Sequence, residues 1–333
     1  MSRTFALSIR ALPGSLGQAV NCAYLLCRIA DTIEDAPVLD ADSKAVLFDR
    51  LLSCFADAAA ADGFPSRVGG ITGDAAHVRL IRNTDLVFVV FRDLPPATRV
   101  HVARWVTEMV VGMRKFVLLY PRGIRIQSLE EYREYCYYVA GTVGYLLTDL
   151  WHEHVQSIGA SEYAVLRERS RAFAEALQTV NILKDVAPDA QRENAIYIPE
   201  QLLAAHGSSH DAVLNAARPQ QTRSALMPLI QLAWADLEHA KDYLLLIPRR
   251  AIAIRMFCAL PLLFAYATLR DLTRAPAPGA RQTVVKISRA EVKSLTVLSV
   301  LGIMSNRALN RLAERVRRRP VVLGWTAASA GSR

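Results

Sequence analysis

The chain has 333 residues, is 52% hydrophobic, and carries 40 Lys and Arg against 31 Asp and Glu, a formal net charge of +9. This length and apolar content exclude a disordered chain, and the sparse Gly (16) and Pro (15), mostly between apolar stretches, favour long helices over a many-stranded sheet. The five cysteines (Cys22, Cys27, Cys54, Cys136, Cys258) are odd in number and hold no Cys-x-x-Cys pair, so they indicate neither a disulfide framework nor a zinc site, and a reducing cytoplasm is the expected setting.

Helical periodicity runs through the chain, so the expected fold class is all-α. Residues 15–35 predict a helix that ends in an acidic cluster before Pro37, and residues 40–62 predict a second. Pro95 and Pro96 open a long helix over about residues 97–120, which Pro121 to Gly123 close. Residues 128–156 predict one long helix or a pair, and residues 161–187 another. A polar loop follows at 188–199. Further helices are expected over 209–246, 249–272 and 288–317, with a loop at 276–279. One domain over 1–319 with a loose tail over 320–333 is the simplest organisation. Arg10, Arg28 and Asp31 argue against a secretory signal, and the best apolar run, Met256 to Leu269, contains Pro261 and reads as a buried core helix, not a transmembrane one. Late in the chain, the apolar run Leu295 to Met304 precedes Arg315, Arg317, Arg318 and Arg319. That order predicts peripheral contact with an anionic membrane face, the alternative being a solvated helix end. No nucleic-acid module accompanies the basic run.

Three constellations carry chemistry. Asp31-Thr32-Ile33-Glu34-Asp35 puts three carboxylates on one helical face, by i, i+3 and i+4 spacing. Tyr24 and Arg28 extend that stripe upstream among apolar residues, so it is expected to face an interior cavity; a solvated helix end is the alternative. Gln178, Asn181, Asp185 and Asp189 recur at similar steps on a second helix. Hard oxygen ligands of this kind suit Mg²⁺, which takes few carboxylates and keeps water or phosphate oxygens. Two such faces opposed across a bundle would clamp a metal-bound diphosphate. The third feature is Tyr135 to Gly144, which sets Gly141 and Gly144 inside a helix at a cost of roughly 1 kcal/mol each against Ala. Something must approach that backbone closely, either a neighbouring helix or a long apolar substrate. No Walker motif and no strand-borne Gly-x-Gly-x-x-Gly is present, which excludes a nicotinamide cofactor bound on a Rossmann fold.

With these residues in view, the chain resembles the squalene/phytoene synthase family. The matching segments are Ser2-Arg3-Thr4-Phe5, Tyr24 to Asp35, Tyr135 to Gly144, and Gln178 to Asp189, spread over roughly residues 2–290. Phe257 to Pro261 and Val285-Lys286-Ile287 point to its squalene-forming branch. The resemblance implies an all-α isoprenoid (prenyl) synthase bundle with a central cavity. It implies Mg²⁺ on Asp31, Glu34, Asp35, Asp185 and Asp189, with Arg28 and Lys184 on phosphate and Tyr135 near the reacting carbons, alongside Tyr24. It implies substrate contacts from Ser2, Thr4, Phe5, Val139, Ala140, Gly144, Gln178 and Cys258. NADPH would be served by Asn181, Phe257, Pro261, Lys286 and Arg289. The implied reaction joins two farnesyl diphosphates head to head into presqualene diphosphate and reduces this with NADPH to squalene. The alternative is a dehydrosqualene, phytoene or presqualene diphosphate synthase without the reductive step. A catalytically silent scaffold should have lost the acidic clusters, and this chain keeps them.

Four positions depart from the family pattern. Pro188 interrupts the second acidic motif and predicts a kink or a helix end before Asp189. Asn194 stands where an arginine is common, with Arg192 nearby. Leu262 replaces a glutamine, and Ser288 an arginine, with Arg289 next door.

Overall fold

A computed structural model describes residues 8–214, 219–275 and 285–319, and among these the regular structure is helical apart from one isolated parallel bridge, Arg125 to Ile196. The N-terminal half contains α1 (Gly14–Glu34), α2 (Ala41–Ser53), α3 (Ala58–Gly63), α4 (Ala75–Ile81), α5 (Thr84–Asp93) and α6 (Pro96–Leu119). Next come α7 (Leu129–Cys136), a π turn (Tyr137–Gly141) and α8 (Thr142–His154), which together form the long helical stretch expected there. Then follow α9 (Ala160–Arg192), α10 (Glu200–Ala204), α11 (Pro219–Leu246), α12 (Ile252–Arg274), α13 (Arg289–Gly302) and α14 (Asn306–Arg318).

Local chemistry explains the boundaries. Asp40 caps α2 by accepting from Ser43 N, Asp74 caps α4, and Ser128, Ser288 and Ser305 each cap the helix that follows. Those caps also account for the misread spans. The helix expected over 40–62 is two helices, because Asp57 caps a new start at Ala58. The one expected over 288–317 is likewise divided, where Ser305 restarts the chain as α14. Residues 210–214 form turns, and α11 begins only at Pro219. The polar loop expected from 188 begins instead after Arg192. α9 runs through Pro188, and Asp189 O accepts from both Glu193 N (3.0 Å) and Ala195 N (3.2 Å), which closes its last turn. One lost N–H is tolerated inside a helix anchored on both sides of it.

The core forms where α8 and α9 pack on each other and α9 packs on α11 and α12. α12 is long and apolar enough to cross a membrane, yet 72% of its apolar window is buried inside the bundle, as expected of a core helix. Its Arg255 is wholly buried and donates to Ile303 O (2.7 Å), Ile247 O (2.5 Å) and Asn306 Oδ1 (2.7 Å), binding the C-terminal helices to the bundle. The late arginines pack as well: Arg317 lies 5.0 Å over the Trp234 ring and 3.3 Å from Glu238. α8 touches both α1 and α9, and the space between those two helices is the central cavity.

Candidate active site

α1 and α9 each contribute a polar stripe to one cavity of about 330 Å³. From α1 come Tyr24, Arg28, Asp31 and Glu34, with Asp35 at its C-cap; from α9 come Gln178, Asn181, Asp185 and Asp189. The stripe therefore faces an interior, as the spacing predicted. Apolar wall is supplied by Met109 and Met113 of α6, Val139 and Ala140 of the π turn, Val143 of α8, Phe173 and Leu177 of α9, and Phe257 of α12. One end of the cavity is thus ionic and the rest apolar.

The carboxylates lack enough partners. Arg28 donates to Asp31 Oδ2 at 2.7 Å, and Lys184 lies 2.9 Å from Asp185 Oδ2. Glu34 Oε2 accepts from the Tyr135 hydroxyl at 3.3 Å, but its buried Oε1 has no hydrogen-bond partner. Burial, reinforced by the charge of Asp31, pushes the Glu34 carboxyl up to about 8. Burial with the charges of Glu193 and Asp185 pushes Asp189 up to about 8 as well. Asp31 is raised by burial against the opposing pull of Arg28, and Asp35 is raised by burial and by Glu193 and Glu34. Such a cluster is short of positive charge. Among the described residues no three His, Cys, Asp or Glu side chains converge closely enough to hold an ion by themselves. The donor set itself, carboxylates with the amides of Gln178 and Asn181, suits a hard cation that takes one or two carboxylates and completes its shell with water or phosphate oxygens.

Tyr135 joins the two ends. Its ring stacks on Tyr197 at 4.7 Å and meets Phe116 edge-on at 5.1 Å, while its hydroxyl reaches Glu34. Arg28 is held from its far side as well, since its Nη2 lies 3.0 Å from His77 Nε2.

Several expected residues stand elsewhere. Gly144 does not line the cavity. A Cβ there would come within 2.2 Å of Ser170 O, so the neighbouring helix α9 occupies the space. Cys258 and Pro261 are buried in α12 outside the lining, and the phase of that helix turns Phe257 inward instead. Lys184 pairs with Asp185 beside the cavity and is not part of its lining. Lys286 and Arg289 are exposed and also outside it. Ser2, Thr4 and Phe5 lie outside the described residues, as does the tail from 320. Sequence reasoning missed Glu193 and Tyr197 in the lining, Lys44, which donates to Glu34 O at 2.5 Å, and His77.

A helical bundle closed around an apolar cavity with carboxylates at one end is the architecture of the all-α isoprenoid synthases, and a ligand complex of TcSQS superposes with a TM-score of 0.80 at 22% identity, covering 96% of this chain and 89% of that one. A dehydrosqualene synthase in complex with a ligand superposes at 0.59, with 21% identity over 89% of this chain and 90% of that one. The chain belongs to the squalene/phytoene synthase family, whose profile matches residues 1–291. The squalene synthase of Schizosaccharomyces pombe is 28% identical over 90% of this chain and 63% of its own length. The chain therefore spans under two thirds of that relative.

Proposed function

We propose that this chain joins two farnesyl diphosphates head to head, using a divalent cation, to form presqualene diphosphate. The observation that carries the reading is the single cavity in which two carboxylate stripes meet an apolar wall, with Tyr135 at the junction. Ionising an allylic diphosphate requires neutralisation of the leaving group, which a bound Mg²⁺ supplies as a Lewis acid. The orphaned Glu34 Oε1 and the raised carboxyls of Asp31, Asp35 and Asp189 fit such a cation. Asp31, Glu34 and Asp35 on one side and Asp185 and Asp189 on the other would hold such cations, each through one or two carboxylates. Arg28, steadied by Asp31 and His77, would bind phosphate, with Lys184 beside Asp185. The Tyr135 ring offers its negative face to the carbocation. Met109, Val139, Val143 and Phe173 keep water from that cation and hold the prenyl tails, along with Ala140, Gln178 and Tyr24.

Reduction to squalene with NADPH is the fuller reading. It is supported by the squalene synthases among the similar proteins and by Asn181 and Phe257 in the cavity lining. A non-reducing product, such as dehydrosqualene, is favoured by the exposed positions of Lys286 and Arg289, outside the lining that holds Asn181 and Phe257.

The decisive experiment incubates the protein with farnesyl diphosphate and Mg²⁺, with and without NADPH, and identifies products by mass spectrometry. Presqualene diphosphate without NADPH and squalene with it would establish both steps. Dehydrosqualene in either condition would leave the condensation alone, turnover of geranylgeranyl diphosphate only would make it a phytoene synthase, and no product from either would sink the reading.

A cytoplasmic enzyme resting on a membrane is the setting we propose. On α13, Val297, Val300, Leu301 and, just beyond, Met304 are exposed, and Lys293, Arg307 and Arg311 are exposed near them in the chain. Failure to float with anionic vesicles at low salt would rule that setting out.

A further inference from the structure

Beside the reaction cavity lies a second pocket of about 250 Å³. The two share Glu34, Asp35, Glu193 and Tyr197 as a common wall. None of the apolar residues of the deep cavity takes part in this second pocket. Its lining adds three cations, Lys44, Arg122 and Arg192, beside apolar residues of its own such as Leu39, Val117 and Ile124. Lys44 is partly buried and fixed by its bond to Glu34 O at 2.5 Å. Arg122 and Arg192 are exposed, and the charge of Arg192 acts on the carboxyls of Asp189 and Glu193.

A backbone clasp sets that cationic side in place. Asn194 adopts a left-handed φ of 53° and Gly123 a φ of 111°. The Asn194 side chain donates to Arg122 O (2.5 Å), while the Arg125 guanidinium donates to Asn194 O (2.5 Å) and Oδ1 (2.6 Å). A Cβ on Gly123 would come within 2.1 Å of Asn194 O, so the two chain segments touch backbone to backbone. Asn adopts this left-handed conformation readily just past a helix end, and here it turns the chain after α9 toward the Arg122–Gly123 segment. Here the result is that Arg122 and Arg192, from segments 70 residues apart in sequence, border one pocket.

We propose that this pocket is the holding site for the inorganic diphosphate released by the condensation, taken up as its divalent-cation complex; the inference rests on the reaction proposed above. When the allylic C–O bond breaks, its electron pair stays on the diphosphate oxygen. The anion is then produced in a cavity whose deeper wall is apolar and offers it no exit. A cation–diphosphate complex carries positive charge at the metal and negative charge on its free oxygens. The shared carboxylates complement the first, and Lys44, Arg122 and Arg192 complement the second. The prenyl tail stays with the apolar residues on the other side of the shared wall.

The test is calorimetric titration of inorganic diphosphate, with Mg²⁺ present, into the full chain and into Arg122→Glu and Arg122→Gln, with circular dichroism to verify the fold and the KM for farnesyl diphosphate measured in parallel. Diphosphate affinity should fall about tenfold in Arg122→Glu and less in Arg122→Gln, which removes the charge-assisted contact without reversing its sign, while KM stays near the wild-type value. Equal affinity in all three proteins would overturn the proposal. So would a KM that rises in step with the diphosphate dissociation constant, which would put the anion in the substrate's own site. A wild-type chain that consumes farnesyl diphosphate but binds no inorganic diphosphate would refute the holding site and leave the condensation standing. Binding that responds to Arg122→Glu in a chain that makes no prenyl product would keep a diphosphate site and refute the condensation instead.

Discussion

Two sets of buried carboxylates in this bundle have opposite surroundings. Asp149 of α8 is 3% exposed and fully engaged: Trp105 Nε1 and the Tyr163 hydroxyl donate to it at 2.8 Å, Arg167 at 2.5 Å, and His101 Nδ1 stands 3.3 Å away. The acids of α1 and α9 are crowded together with few donors, and Glu34 keeps one oxygen without any. A carboxylate ringed by donors of its own chain is part of the architecture. A cluster left short of positive charge is poised to receive it from outside. The difference teaches that burial of an acid says little by itself, and that the count of its partners separates structure from chemistry.

Substitutions should sharpen that contrast. Asp31→Ala or Asp185→Ala should cut condensation by about a thousandfold or more with the fold intact, since electrostatic stabilisation of the leaving group is lost. A near-normal rate in product-formation assays would break the comparison. Asp149→Ala should do the reverse. It strands the Trp105 and Tyr163 donors and unpairs the partly exposed Arg167, and about 1–3 kcal/mol of stability should be lost in urea unfolding. At the same α8–α9 seam, Gly144→Ala would drive a Cβ into Ser170 O, at a cost of about 1–3 kcal/mol. Gly141→Ala meets side-chain atoms alone, of Glu175, Tyr137 and Arg171, and no backbone, and should cost less in the same unfolding experiment.

The acidic end also sets a pH dependence. Glu34 and Asp189 titrate at about 8 when folded, far above their ordinary values of 4.5 and 3.8. The folded state therefore binds more protons than the unfolded one between those limits. Their contribution is fully present below about pH 4 and is lost as pH rises through about 8. With chelator present, the Tm should fall across that window, and added Mg²⁺ should flatten the slope. A Tm that climbs steadily with pH under chelator would show that these acids are not frustrated. The smallest effect concerns Lys286→Ala, which should lower squalene yield with NADPH while leaving presqualene diphosphate formation unchanged; equal loss of both would remove any reductive role for it.

Much of this was legible in the residues. The stripes on α1 and α9 follow from spacing alone, and both enter one cavity. Asp189 was expected at a kink or past a helix end, because Pro188 disfavours helix. The last turn survives because Asp189 O gathers two N–H donors, and this carries Glu193 and Tyr197 into the site. Lys44 and His77 were hidden for another reason: they sit on helices remote in sequence from the stripes, and only tertiary packing brings them to Glu34 and Arg28. Gly144 shows an ambiguity that periodicity does not resolve. A tight backbone approach was foreseen, and its author is α9, not a substrate chain.

The π turn at Tyr137–Gly141 has a consequence for how this wall can change. A π turn holds one residue more than the α-helical turn it replaces, and each residue of helix advances by about 100°. Removing that one residue would rotate everything from Thr142 onward by that angle. Val143, Leu146 and Leu147 would swing off the cavity, and Gly144 would leave the groove beside Ser170. Length in this segment is therefore a phase setting shared by the substrate wall and the α8–α9 seam, so single-residue insertions and deletions are barred here while point substitutions at Val139 or Val143 remain open as a route to reshaping the cavity.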